Sequence, residues 1–362
     1  MSDDVVSDAP EQAPRPRRLV RRSRPLRKAL VGLASCVVLL ALVLGAGAWW
    51  LQSRLGGQIT QVQGAFAGLE TRPARAAGTP GDAVNILLMG TDRRSDTPTT
   101  GANAEAPAWL PGEQRTDALM VLHVDGDREG ASIVSIPRDA WVTVPGHGPH
   151  KVNAAFSLAG PSLAVQTVEE LTDLRIDHLA VVDWQGFAAM IDALGGVTVD
   201  VPATVHDSAR DRTWTAGAHE LDGADALAYV GQRYGLPGGD LDRVERQQAV
   251  LRALLQRTLT RDVLANPRTV LRLLDTATRN LTVDDGWSVG DMRGLALSLR
   301  SLRADDVVFT TVPIKGLGRA GGESIVRLDR DRGREMWGAL REDRLGEWLA
   351  ATGGGSLPAV VD

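Results

Sequence analysis

From Ala29 to Leu51 the chain runs for 23 residues without a charged side chain. As a helix rising about 1.5 Å per residue, such a run covers a hydrocarbon core of about 30 Å and can cross a bilayer once. Arg15, Arg17, Arg18, Arg21, Arg22, Arg24, Arg27 and Lys28 precede it, and only Arg54 follows closely. That asymmetry predicts a cytoplasmic N-terminus and an extracytoplasmic body from about residue 55. Trp49 and Trp50 fall where interfacial aromatics are expected. Ala46-Gly47-Ala48 has the shape of a cleavage site and Leu33-Ala34-Ser35-Cys36 that of a lipidation signal. The apolar run is longer than a signal-peptide core, so an uncleaved anchor is expected.

The anchor divides the chain into a basic cytoplasmic tail (1–28), a transmembrane helix (29–51), a Pro/Gly-punctuated stalk (52–82), one domain (83–350) and a short flexible tail (351–362). Residues 1–54 hold nine of the 40 Lys and Arg and four of the 45 Asp and Glu, which leaves the body at 31 against 41, a net of −10. An acidic body argues against nonspecific nucleic-acid binding. The single cysteine, Cys36, lies in the apolar run, so the body has neither a disulfide nor a thiol nucleophile.

Within the body, Val84–Met89, Ala118–Val124 and Ser132–Ile136 read as buried strands. A helical pattern from Pro161 to Leu174 leads to a strand at His178–Val182, a helix at Gly186–Leu194 and a strand at Val197–Val201. This alternation predicts an α/β fold, a layered sheet with helices on its faces. A long helix from Asp240 to about Leu259, helices near Val263–Leu274 and Val289–Leu302, and strands at Val307–Pro313 and Ser324–Leu328 are expected to follow, the strands at an edge of the same sheet.

No nucleophile elbow, H-E-x-x-H helix, Walker A loop or zinc-type Cys/His cluster is present. Gly316–Gly321 matches G-x-G-x-x-G but precedes a strand pattern, which makes it a loop and not a pyrophosphate cradle. His147-Gly148-Pro149-His150 reads as an exposed turn. The remaining polar groups stand at strand ends. Gly90-Thr91-Asp92-Arg93 follows the first strand and Arg115-Thr116-Asp117 precedes the second, so antiparallel pairing would bring both acids to one end of the sheet. Carboxylates without His or Cys suit Mg²⁺ or Mn²⁺; the plainer reading is a turn cap at Asp92 and a counter-ion for Arg115 at Asp117. Arg138, after the third strand, is either an anion clamp or a salt-bridge partner of Asp139. On the long helix, Arg243, Arg246 and Gln247 are spaced i, i+3 and i+4 and can share a phosphate-binding face. Alternatively that face is solvated, with Asp242 and Glu245 as a capping pair.

Asn85–Asp92, Arg115-Thr116-Asp117, Ile136-Pro137-Arg138-Asp139, Lys151-Val152-Asn153-Ala154-Ala155, Asp192–Val197 and Asp222–Gln248 together resemble the LytR-CpsA-Psr family, in the family's order, across roughly residues 83–260. The resemblance implies a layered α/β/α domain with a central mixed sheet. It implies a membrane-anchored extracytoplasmic phosphotransferase that moves a glycan from a polyprenyl-pyrophosphate carrier to a peptidoglycan hydroxyl. Asp92 and Asp117 match acids that hold Mg²⁺; Arg115, Arg138, Arg233, Arg243 and Gln247 match pyrophosphate-contacting residues, and Asp240 a further acid of the site. An apolar groove for the carrier tail is implied, with Phe156, Leu163, Phe187, Met190 and Ile191 as lining or as ordinary core. One departure stands out: the family's Arg-x-Arg after Tyr-Val begins here with Gly231, and Gln232 brings no charge in its place. Restoring arginine at 231 is expected to strengthen donor binding. Two other readings fit the residues: a lipid-linked glycan binding or regulatory module without turnover, and a hydrolase that splits the same pyrophosphate with water.

Overall fold

The computed structural model describes residues 59–75, 83–93, 98–102, 104–112, 114–232, 234–264 and 266–353. The predicted anchor at 29–51, the tail before it and residues 354–362 lie outside the described residues. No helix among those described is long and apolar enough to cross a membrane.

The first elements are β1 (Thr60–Val62), β2 (Val84–Arg93), β3 (Gln114–Val124), β4 (Ala131–Ser135), the hairpin β5 (Trp141–Val144) and β6 (Gly148–Lys151), α1 (Ala154–Thr172), β7 (His178–Asp183), α2 (Trp184–Ala193) and β8 (Val197–Val201). Then come β9 (Val205–Asp207), β10 (Arg212–Trp214), β11 (Gly217–Leu221), α3 (Gly223–Val230), α4 (Asp240–Thr258), α5 (Arg261–Leu264), α6 (Pro267–Asn280), β12 (Leu281–Asp284), α7 (Val289–Ser298) and β13 (Val307–Thr311). The hairpin β14 (Ile314–Ala320) and β15 (Glu323–Leu328), α8 (Arg330–Arg341) and α9 (Leu345–Thr352) complete the chain.

Seven strands form one mixed sheet in the order β1-β12-β7-β2-β3-β4-β13. Central β2 pairs antiparallel with β3 and parallel with β7. Side chains alternate across the sheet, which explains why these strands read as unbroken apolar runs: both faces are covered. Leu87, Met89, Leu119 and Val121 pack with Phe156 and Val165 of α1 and with Met336 and Leu340 of α8. Their neighbours Met120 and Ile133 face Leu251 and Leu255 of α4, while Ile86 and Ala180 face Met292 and Leu295 of α7. Helices thus cover both faces, as the alternation predicted. A satellite core holds α2, α3 and α4 against β8 and β11, around Trp214, Leu221 and Tyr229.

Several expectations change. Residues 59–75, assigned to the stalk, pack on the domain: β1 pairs with β12, Ala65 is buried, and Arg72 donates to Glu169 of α1 at 2.6 Å. Helix α1 begins at Ala154, seven residues before the expected start, and kinks at Ala159 and Gly160, where Pro161 interrupts the helical hydrogen bonds. Gly160 takes φ 76°, and a Cβ there would lie 2.9 Å from the Trp109 ring. The expected 263–274 helix is two helices, because Asn266 caps α6 through the backbone N–H groups of Arg268 and Thr269 and Pro267 opens its first turn. β13 does extend the main sheet, alongside β4, but Ser324–Leu328 pairs with β14 in a separate hairpin. Gly316–Gly321 belongs to that hairpin and is not a loop after a sheet strand.

Candidate functional site

The β2–β3 ladder carries a bulge where the two acids converge. Gly90 faces Ala118 and Thr91 faces Thr116, so Asp117 is an extra residue on β3, and Asp92 then faces Arg115. A bulge interrupts alternation and re-aims the side chain it carries. Asp117 is accordingly buried beside buried Thr116. Antiparallel pairing therefore places the backbones of Asp92 and Asp117 at one end of the sheet, as expected.

Arg138 follows β4 in a turn closed by Ala140 N–H donating to the Pro137 carbonyl. Its guanidinium donates to Asp117 Oδ1 at 2.6 Å and lies 3.0 Å from Asp240 Oδ1. Asp240 opens α4 after Gly239, whose φ of 63° turns the chain into the helix. Arg243, one turn on and 3% exposed, approaches Asp240 Oδ1 at 2.9 Å and Asp117 Oδ1 at 3.9 Å. Gln247, a further turn along, donates to the Asp117 backbone carbonyl at 3.4 Å. Burial opposes charge on Arg138, but Asp240, Asp117 and Asp139 outweigh it and hold the guanidinium above the ordinary arginine pKa. Lys151 bridges Asp139 and Glu323 at 3.1 and 3.3 Å, so it braces the Arg138 turn from outside.

Asp117, Arg138, Asp240, Arg243 and Gln247 are thus brought together. Arg115 is exposed and does not line the cleft bordered by Asp117 and Arg243. Arg233 lies outside the described residues, as does the side chain of Asp92. Arg246 parts from its expected partners: it is buried over the Tyr229 ring, 4.3 Å from the centroid, and donates to Gln232 Oε1 at 2.7 Å. Burial, partly offset by Tyr229, lowers its pKa. Gln232 returns a hydrogen bond to the Tyr234 carbonyl, so this pair scaffolds the segment after α3 and does not face a ligand. Asp242 accepts from Gly238 N–H at 2.8 Å, which ties down the turn before α4 and is not the capping pair with Glu245 that the pattern offered.

A cleft of 520 Å³ opens beside the cluster, lined by Asp117 and Arg243 and by Trp184, Arg210, Gly231 and Tyr234. No local motif marks Trp184 or Arg210, which arrive from α2 and the β9–β10 turn. Gly231 ends α3, and a Cβ there would lie 2.8 Å from the Leu227 carbonyl and 3.1 Å from Arg210 Nη2. Arginine at 231 would therefore have to displace the helix end, so the simple gain expected from restoring it does not follow. Trp184 also borders a second, apolar pocket of 270 Å³ that runs between sheet and helices past Leu88, Met120, Leu251 and Leu254. Phe187 and Met190 line it as proposed, whereas Phe156, Leu163 and Ile191 are core residues.

Comparison with known proteins agrees with this arrangement. LcpB of Corynebacterium glutamicum, a probable cell wall biosynthesis protein, is 40% identical over 271 residues, 75% of this chain and 63% of its own. The Enterococcus faecalis polyisoprenyl-teichoic acid–peptidoglycan teichoic acid transferase TagU is 33% identical over 218 residues, covering 60% of this chain and 66% of its own. The chain spans 53% to 66% of the length of the curated relatives it matches. The structure of TagT bound to LIIa-WTA superposes with a TM-score of 0.58 at 26% identity, over 77% of this chain and 98% of that one. The LytR_cpsA_psr family profile matches residues 61–342, and the chain belongs to the LytR-CpsA-Psr family.

Proposed function

We propose that this chain transfers a phosphoglycan from a polyprenyl-pyrophosphate carrier to a hydroxyl of peptidoglycan. The observation that carries the reading is the meeting, at Trp184, of a charged cleft with an apolar pocket. That pairing suits a donor with an anionic head and an isoprenoid tail. The name of TagU, a relative in the same family, supports transfer between a polyisoprenyl carrier and peptidoglycan. In the proposed reaction the acceptor hydroxyl oxygen bonds to the sugar-side phosphorus and gives up its proton to water, the bridging P–O bond breaks, and polyprenyl phosphate leaves. Arg138, Arg243 and Gln247 bind and orient the phosphates, and the two guanidiniums stabilise charge that grows on nonbridging and leaving oxygens.

Mg²⁺ fits the oxygen-only donors of the cluster. Asp240 Oδ2 is buried there without a hydrogen-bond partner among the described residues. Asp92 and Asp117 would hold the ion, with Asp240 alongside, and when bound it would supply Lewis-acid charge to the phosphoryl oxygens. The same reading places the body outside the cell with 29–51 as its anchor. Protease added to wall-stripped cells should digest that body, and its protection would overturn the placement.

The transfer itself is tested by incubating the protein with a polyprenyl-pyrophosphate sugar, Mg²⁺ and uncrosslinked peptidoglycan, followed by mass analysis. A covalent glycan–wall product with release of polyprenyl phosphate supports the proposal. Free glycan phosphate would make the protein a hydrolase, and the absence of polyprenyl phosphate would make it a binding module.

A further inference from the structure

Arg138 and Arg243 are both shared between Asp117 and Asp240, two cations against two acids. An incoming dianionic head group must compete with carboxylates for them. Arg210, which also lines the cleft, is differently placed. It sits in the turn between β9 and β10, and both its side-chain hydrogen bonds to described residues leave through Nη1: to Asp207 Oδ2 at 2.9 Å and to the Gly231 carbonyl at 3.4 Å. Asp207 is fully buried and its other oxygen accepts from Ala209 N–H at 3.1 Å, so the anchor is rigid. The Arg210 side chain is 43% exposed and borders the same cleft as Asp117 and Arg243.

Gly231 explains how the guanidinium fits. With Nη2 only 3.1 Å from where a Cβ would be, any larger residue at 231 crowds it. The two positions lie 21 residues apart and meet only in the folded chain.

We propose that Arg210 is an anion-contacting residue of the cleft: its guanidinium binds a nonbridging phosphate oxygen of the donor in the cleft that Arg243 also lines, in space that Gly231 leaves open. This rests on the reading of the cleft as a pyrophosphate site. A planar guanidinium held at one nitrogen keeps donors on its other edge, which suits a phosphate better than a point charge does.

Calorimetric binding of geranylgeranyl pyrophosphate to the full-length chain tests it. Arg210→Gln should weaken binding about tenfold, the loss of one charge-assisted hydrogen bond, and Arg210→Lys should recover only part. Because Arg210→Gln also strips a buried acid of its partner, the double variant Asp207→Asn/Arg210→Gln is measured beside it. It should melt near the parent yet bind as weakly as Arg210→Gln. Arg138→Gln separates this proposal from the reading beneath it. If Arg138→Gln weakens binding and both Arg210 variants bind like the parent, Arg210 only neutralises Asp207 and the proposal fails alone. If Arg138→Gln has no effect either, or the parent does not bind, the cleft is not a pyrophosphate site and both fall.

Discussion

The two ends of the β2–β3 pair carry polar clusters of similar composition and opposite character. At one end Asn85 faces His123 in the ladder, and the His123 ring contacts Asn85 Oδ1 at 2.7 Å and Asp343 Oδ1 at 2.8 Å. The Asn85 amide is oriented by the Arg175 carbonyl, and Asp343 also accepts from Gly126 N–H. His123, Asp125 and Asp343 bring possible ligand atoms within 4.8 Å of one another, yet they are spent on each other and on the backbone, beside a hollow of only 40 Å³. At the other end Asp117 and Arg243, tied to Arg138 and Asp240, border 520 Å³ of open cleft. Acids and bases alone therefore do not mark a site; a cluster can act on a ligand where adjoining volume lets one exchange a partner for it.

The sharpest way to break this contrast is to remove an acid at the open end. Asp117→Ala or Asp92→Ala should lower Mg²⁺-dependent transfer by about a hundredfold or more while thermal melting stays close to the parent. A large fall in melting temperature would make the acid a brace like its counterpart. At the closed end His123→Ala should do the reverse. It leaves Asn85 and Asp343 unsatisfied and should cost about 2–4 kcal/mol in denaturant titration, with transfer per folded molecule unchanged.

The smallest effect concerns Asp125. Burial, opposed by the His123 charge and reinforced by Asp343, raises its pKa to about 6. The folded state thus binds this proton more tightly than the unfolded chain. Its contribution to stability is complete below the unfolded pKa and is lost as pH rises through about 6. Asp125→Asn should flatten the melting profile between about pH 4 and pH 6 and leave the pH dependence of transfer unmoved; a shifted transfer profile would join the two ends functionally.

The central strands were legible because burial on both faces leaves an unbroken apolar run. Arg138 and Asp117 were legible because they stand beside apolar strand runs, whereas Asp240 was reached through the family resemblance alone. The face of α4 was harder to read. At 3.6 residues per turn Arg246 and Gln247 lie on either side of the Arg243 direction; both are buried, and only the packing turns the former onto Tyr229 and the latter toward the Asp117 carbonyl. Three-residue β1 and the partner of β15 carry too little periodicity to place, and the need for glycine at 160 comes from the Trp109 ring, 51 residues away in sequence. Trp184 and Arg210 enter the site through tertiary contacts alone.

The extra residue in β3 also has a hereditary consequence. Because Asp117 owes its placement to a count and not only to a codon, losing any one codon from 114 to 117 would restore a continuous ladder. Such a deletant should keep its circular dichroism and lose the bond from Arg138. Most surface loops of this domain can drift in length; this stretch of four residues cannot, so lineages that retain the chemistry should keep Asp117 and show no gaps around it.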